Sequence, residues 1–104
     1  MFKKIEEIKE KYGCIISDFT MKDFSDNPVM FSYEIDFDGK FYAIVKADYY
    51  MLSVETFLKF NTRNLIKMDE IRDVISDLDN LRLEIKNYFE NLREKSWHLA
   101  TKRV

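Results

Sequence analysis

From Val29 to Phe37 every second residue is apolar: Val29, Phe31, Tyr33, Ile35 and Phe37, with Met30, Ser32, Glu34 and Asp36 between them. A period of two marks a strand buried on one face, and the acids in the second set mark the solvent side. Past "DGK" the pattern returns in Phe41, Ala43, Val45, Ala47 and Tyr49, so the two runs predict an antiparallel hairpin. A two-residue loop at Asp38-Gly39 would set Asp36 against Phe41 and Glu34 against Ala43, mixing the faces. A three-residue loop of residues 37–39 keeps them apart. It pairs Ile35 with Phe41, Tyr33 with Ala43, Phe31 with Val45 and Asp36 with Lys40, with Gly39 left-handed. That register is the prediction.

Other periods fill in the chain. Phe2, Ile5, Ile8 and Tyr12 recur at three and four, predicting a helix over residues 2–12 that Gly13 stops. Residues 14–21 read as a strand, and "KDFSDNP" gathers turn formers before Pro28. Ser53 reads as the N-cap of a short helix holding Val54, Phe57 and Leu58, ended by "NTRN" at 61–64. A long amphipathic helix then runs from about Leu65 into the mid-nineties. The predicted fold is α+β in one domain, residues 1–104. It comprises an N-terminal helix, a three-stranded antiparallel sheet, a short helix and a long C-terminal helix.

In that last helix Ile71, Leu78, Ile85 and Leu92 fall seven apart, flanked by Val74, Leu81 and Tyr88 on one side and by Met68, Ile75 and Phe89 on the other. A coiled-coil seam needs only two rows; a wider stripe suits packing on a sheet. The repeat passes unshifted through "SDLDN" at 76–80, which argues for one continuous helix. Thirty helical residues reach about 45 Å, while strands of nine or ten cover about 30 Å. The excess length predicts an overhang in which Ile85, Tyr88, Phe89 and Leu92 join a second copy, a homodimer.

Composition narrows the chemistry. The 104 residues include two Gly and one Pro, which fits long elements and short loops rather than a loop-built active site. Cys14 is the only cysteine, so no intrachain disulfide or Cys-based metal site can form, and beside the single His98 no Cys–His, Gly-rich phosphate-loop or HExxH motif is present. Glu34 and Asp36 share a strand face, but Lys40 and Lys46 beside them favour a salt-bridged surface over an acid/base pair. No enzyme and no cofactor is expected. The opening "MFKKIEEIKEKYGC" places charges where a signal peptide needs an apolar run, and no stretch suits a bilayer span. The chain therefore reads as cytoplasmic, away from membranes.

Charge is uneven. Residues 14–58 carry eight acids against three Lys, whereas residues 59–104 carry ten basic groups against eight acids. The basic end, with Lys59, Arg63, Lys67, Arg93, Lys95, Lys102, Arg103 and the Trp97 ring, offers nucleic-acid binding as an alternative function. The pI near 5.4 speaks against it. The acidic hairpin face points to another protein with a basic surface, contacted by Glu34, Asp36, Asp38, Tyr42, Ile44 and Asp48. The order of a helix, a strand, a "DG" hairpin and helices over residues 2–60 resembles that of some small phage-encoded anti-CRISPR inhibitors and some bacterial toxin-immunity proteins. That resemblance implies a non-catalytic viral or bacterial inhibitor that occupies a partner's surface, and it carries over no individual residue.

Overall fold

The computed structural model describes residues 2–61 and 66–102, with side chains as far as residue 95. Helix α1 (Lys3–Tyr12) is followed by strands β1 (Ile15–Lys22), β2 (Pro28–Phe37), β3 (Phe41–Asp48) and β4 (Ser53–Phe60), and then by helix α2 (Met68–Lys102). The strands form one antiparallel sheet in the order β1-β2-β3-β4. The fold is α+β as predicted, with one correction: the sheet has four strands, and Ser53 opens a strand instead of capping a helix. "SVETFLKF" also alternates, with Val54, Thr56, Leu58 and Phe60 opposite Ala47, Val45, Ala43 and Phe41. β-branched and aromatic side chains at those positions fit a pleated surface better than a lone two-turn helix. The break expected at "NTRN" lies, apart from Asn61, outside the described residues.

The hairpin register differs from the predicted one by two residues. Phe37 pairs with Phe41, Ile35 with Ala43 and Tyr33 with Val45. Both registers sort the faces, so turn chemistry decides between them. Asp38 and Gly39 both have positive φ, 57° and 72°, as a tight type I′ hairpin turn demands. The Lys40 N–H closes the turn on the Phe37 carbonyl at 3.1 Å, and Asp36 Oδ1 accepts the Gly39 N–H at 2.8 Å. Lys40 is the extra residue that restores the alternation. The predicted loop would have left Phe37 in water. Instead its ring stacks on Phe41, with centroids 4.7 Å apart.

One face of the sheet is sealed by both helices. Phe31, Tyr33, Ile35, Phe37, Phe41, Ala43, Val45 and Ala47 line it, and Ile5 and Ile8 of α1 join Val74, Leu78, Leu81, Ile85 and Phe89 of α2 above them. Cys14 is a small buried hydrophobe in this core. α2 is continuous through residues 76–80. Within it Ile85, Phe89 and Leu92 are buried in their own chain. The Tyr88 hydroxyl donates to the Pro28 carbonyl at 2.6 Å, and its ring meets Phe2 at 5.5 Å. The predicted overhang therefore does not begin at Ile85: α1 and the β1–β2 end of the sheet reach farther along α2 than strand length alone suggested. Of the four residues assigned to self-association, Ile85, Phe89 and Leu92 are buried in the core and Tyr88 is half-buried against it.

The two helices are joined by acids on α2. Asp77 accepts from Lys4 at 2.9 Å and Lys11 at 3.0 Å, and from the Tyr12 hydroxyl. One heptad later both Glu84 carboxylate oxygens take the Lys4 N–H at 3.2 Å, capping a helix whose N-cap residue, Phe2, has no polar side chain. Burial pushes the Asp77 carboxyl up, but its three donors outweigh that and hold it below the ordinary carboxylate value. Burial, then Asp77, pushes Tyr12 up, so its hydroxyl stays a donor.

Three outcomes follow from this packing. Asp77→Asn should destabilise the fold by about 3 kcal/mol, the lower end for a broken buried ion pair, since both lysines retain access to water. In this chain that lowers Tm by more than about 10 °C. Because the folded-state pKa is depressed, the carboxylate's stabilisation is complete above the unfolded value and lost as pH falls through the folded one. The gap between wild type and Asp77→Asn, read by thermal melts, should thus be full at pH 7 and narrow below about pH 4. Gly39→Val should cost about 1 kcal/mol or more through backbone strain alone, as nothing lies within 4 Å of a Cβ built there; an unchanged melt would refute the left-handed turn. Phe89→Ala should cost about 3–5 kcal/mol and unfold the chain in denaturant earlier, rather than split a dimer into folded monomers.

Candidate interaction surface

The face of the sheet opposite the helices is open. β1 contributes Ile15, Ser17, Phe19 and Met21; β2 contributes Met30, Ser32, Glu34 and Asp36; β3 contributes Tyr42, Ile44, Lys46 and Asp48; and β4 contributes Ser53, Glu55, Phe57 and Lys59. Their alternation with the buried set dictates this placement. Asp36 stands opposite Tyr42 and Glu34 opposite Ile44, with Phe57 next across from Ile44.

Five of the six residues predicted to bind a partner are thus brought onto one face: Glu34, Asp36, Tyr42, Ile44 and Asp48. Asp38 lies apart from them, exposed in the hairpin turn. Two of the acids also have structural work. Asp36 holds the β2–β3 turn through Gly39, and the charge of Asp36 and its bond to Tyr42 push that phenol up. Asp48 Oδ1 accepts the Tyr50 N–H at 2.9 Å and the Met51 N–H at 3.3 Å, closing the β3–β4 turn. Glu34, exposed in mid-strand, takes part in neither turn.

Sequence reasoning missed the apolar half of the surface. Ile15 is 71% exposed, Phe19 63% and Phe57 51%, with Met21, Met30 and Met51 also open to solvent. These side chains come largely from β1 and from β4, which the sequence pattern assigns to a helix. The signal was present in "IISDFTMK", where Ile15, Phe19 and Met21 share one parity while Asp18 and Thr20 share the other. A strand with its larger apolar groups on the solvent face breaks the usual rule, and that exception points to an interface. At one end Phe19, Met21, Met30, Lys46, Met51 and Glu55 line a concavity of about 430 Å³. Methionines adapt to irregular partners. Lys46 lies over the Phe57 ring, 5.8 Å from its centroid.

The face carries four carboxylates, Glu34, Asp36, Asp48 and Glu55, against two ammonium groups, Lys46 and Lys59. Among the described residues no cluster of three His, Cys, Asp or Glu is arranged to hold a metal ion, and no helix is long and apolar enough to cross a membrane. Of the basic groups at the chain's end, Lys67, Arg93 and Lys95 are exposed, while Arg63, Arg103 and the Trp97 and His98 side chains lie outside the description. Comparison with known proteins finds no matching family model, no matching curated protein and no matching solved structure.

Proposed function

We propose that this protein is a non-catalytic binding protein that acts by laying its open sheet face on another protein's surface, as an inhibitor or immunity protein does. One observation carries the reading: among the described residues the helices cover one face of the four-stranded sheet, and the other exposes Ile15, Phe19, Met21, Tyr42 and Phe57 among carboxylates. Burying one such aromatic at an interface is worth about 1.5–3 kcal/mol, and Tyr and Phe with Met are the residues interfaces favour. Carboxylates around them select a partner with basic groups at the rim and repel nucleic acid, which disfavours this face as a nucleic-acid site.

The test separates this face from the rest of the molecule. A photo-crosslinking side chain at Phe57 should capture a partner from lysate, and Glu34→Lys with Phe57→Lys should abolish capture from a second crosslinking position at Tyr42. Both substitutions sit on the exposed face, where effects on stability stay within about 0.5 kcal/mol. Lys86→Glu, on the exposed side of α2, should leave capture intact. Equal loss from the α2 variant, or capture unaffected by the face variant, would place binding elsewhere. A salt-sensitive shift with generic DNA or RNA, abolished by Arg93→Glu with Lys95→Glu, would favour the basic helix end instead.

A further inference from the structure

β1 is an edge strand with little protection. Natural edges are blunted by shortness, proline, lysine or a bulge in the edge itself. β1 is eight residues long without proline, and its one lysine is terminal. The irregularity beside Met21 leaves Val29 of β2 as the extra residue, so β1 stays regular. Its sheet-inward side chains are poorly covered too: Asp18 is exposed, and Ile16 and Thr20 are only half-buried. Thr20 Oγ1 is shielded from solvent without a hydrogen-bond partner.

We propose that β1 pairs antiparallel with β1 of a second copy about a two-fold axis at Thr20, joining the two sheets into one. The sequence "DFTMK" is self-complementary in this register alone. Asp18 falls opposite Lys22 of the second copy, Phe19 opposite Met21, Thr20 opposite Thr20, and the first two pairs repeat on the other side of the axis. Directly opposed residues share a face, so the ion pairs and the threonines lie on the helix side, while the aromatic–thioether pairs lie on the open side. The two threonine hydroxyls can bond to each other, and a thioether against a ring is a favourable contact. Centring on Asp18 would oppose two carboxylates. Centring on Phe19 would set Asp18 against Thr20 and Lys22 against Ile16. Within one chain Lys22 pairs with Asp26, at 3.6 Å, and the Asp26 side chain is 85% exposed, so little is lost when Lys22 turns to Asp18 of the second copy. The pairing is isologous and closes, as a two-fold dimer must. It does not depend on what the open face binds.

Charge exchange tests it. By light scattering the wild type should show twice the 12.6 kDa mass of one chain. Asp18→Lys and Lys22→Asp should each show the mass of one chain, because each opposes like charges twice. Mixed in equal amounts the two variants should recombine at the doubled mass. In that mixed dimer the two substituted positions oppose each other with unlike charges, and the original Asp18 and Lys22 meet on the other side of the axis. Circular dichroism checks that each variant is folded. For the unaltered chain, hydrogen exchange should show protection of amides 18–22 that rises with protein concentration. A wild type that stays at single-chain mass up to its solubility limit, a folded single variant that remains a dimer, folded variants that fail to recombine, or exchange in β1 that ignores concentration would each overturn the proposal.

Discussion

A carboxylate on the buried stripe of α2 is costly to desolvate, and Asp77 is tolerated because three donors from α1 converge on it. Its grip spans Lys4 to Tyr12, nearly the whole of a ten-residue helix, which on its own would be too short to persist in water. Glu84 secures the other end by meeting the Lys4 N–H, where a negative charge also suits the helix dipole. α1 is therefore held by α2 directly, in addition to what the sheet contributes. The pair covers β2, β3 and part of β4 but leaves β1 poorly covered.

Most of the fold was legible because it follows from period. The β2–β3 alternation, the α1 stripe and the unbroken heptad rows of α2 all describe elements that the structure contains. Period fails where two answers share it. The hairpin registers, two residues apart, sort the same faces, and only the left-handed pair at Asp38 and Gly39 tells them apart. It fails again in "SVETFLKF", where Val54, Phe57 and Leu58 fit a helix turn as well as Val54, Thr56 and Leu58 fit a strand. What settles the matter is the neighbouring edge of β3, a tertiary fact. The clamp was illegible for a related reason. Asp77 looks like a solvated residue in "SDLDN", and its partners Lys11 and Tyr12 lie 66 and 65 positions away.

The candidate surface was half legible. Its acidic members follow from the hairpin's own alternation, whereas its apolar members sit largely on the two outer strands. There an apolar residue on the solvent side looks like an error in the pattern until the pairing is known. Ile15, Phe19 and Met21 run against the period, and the physical meaning of such an exception is that a cost in exposed apolar area is being carried. The C-terminal rows misled in the opposite direction. Strand length alone puts Ile85 and Phe89 beyond the sheet, but Phe2 packs on Phe31, Tyr33 and Tyr88, and Tyr88 bonds to the Pro28 carbonyl, so this part of α2 still lies against β2.

The charges on the two sides of the sheet serve different ends. On the covered side cations are consumed in joining elements: Lys4 and Lys11 by Asp77, and Lys40 by Glu70 at 3.5 Å. On the open side Asp36 and Asp48 fold back onto the turns that follow their strands. Each of those acids therefore fixes a turn and colours the surface at once, so removing either loosens the hairpin as well as changing its charge. Glu34, Tyr42 and Phe57 are under no such double constraint among the described contacts of the turns. The surface thus has acids that folding fixes at its turns and central side chains that hold no turn. On the proposed reading, specificity resides in the central residues, and the acidic frame that would favour a basic rim comes with the fold itself.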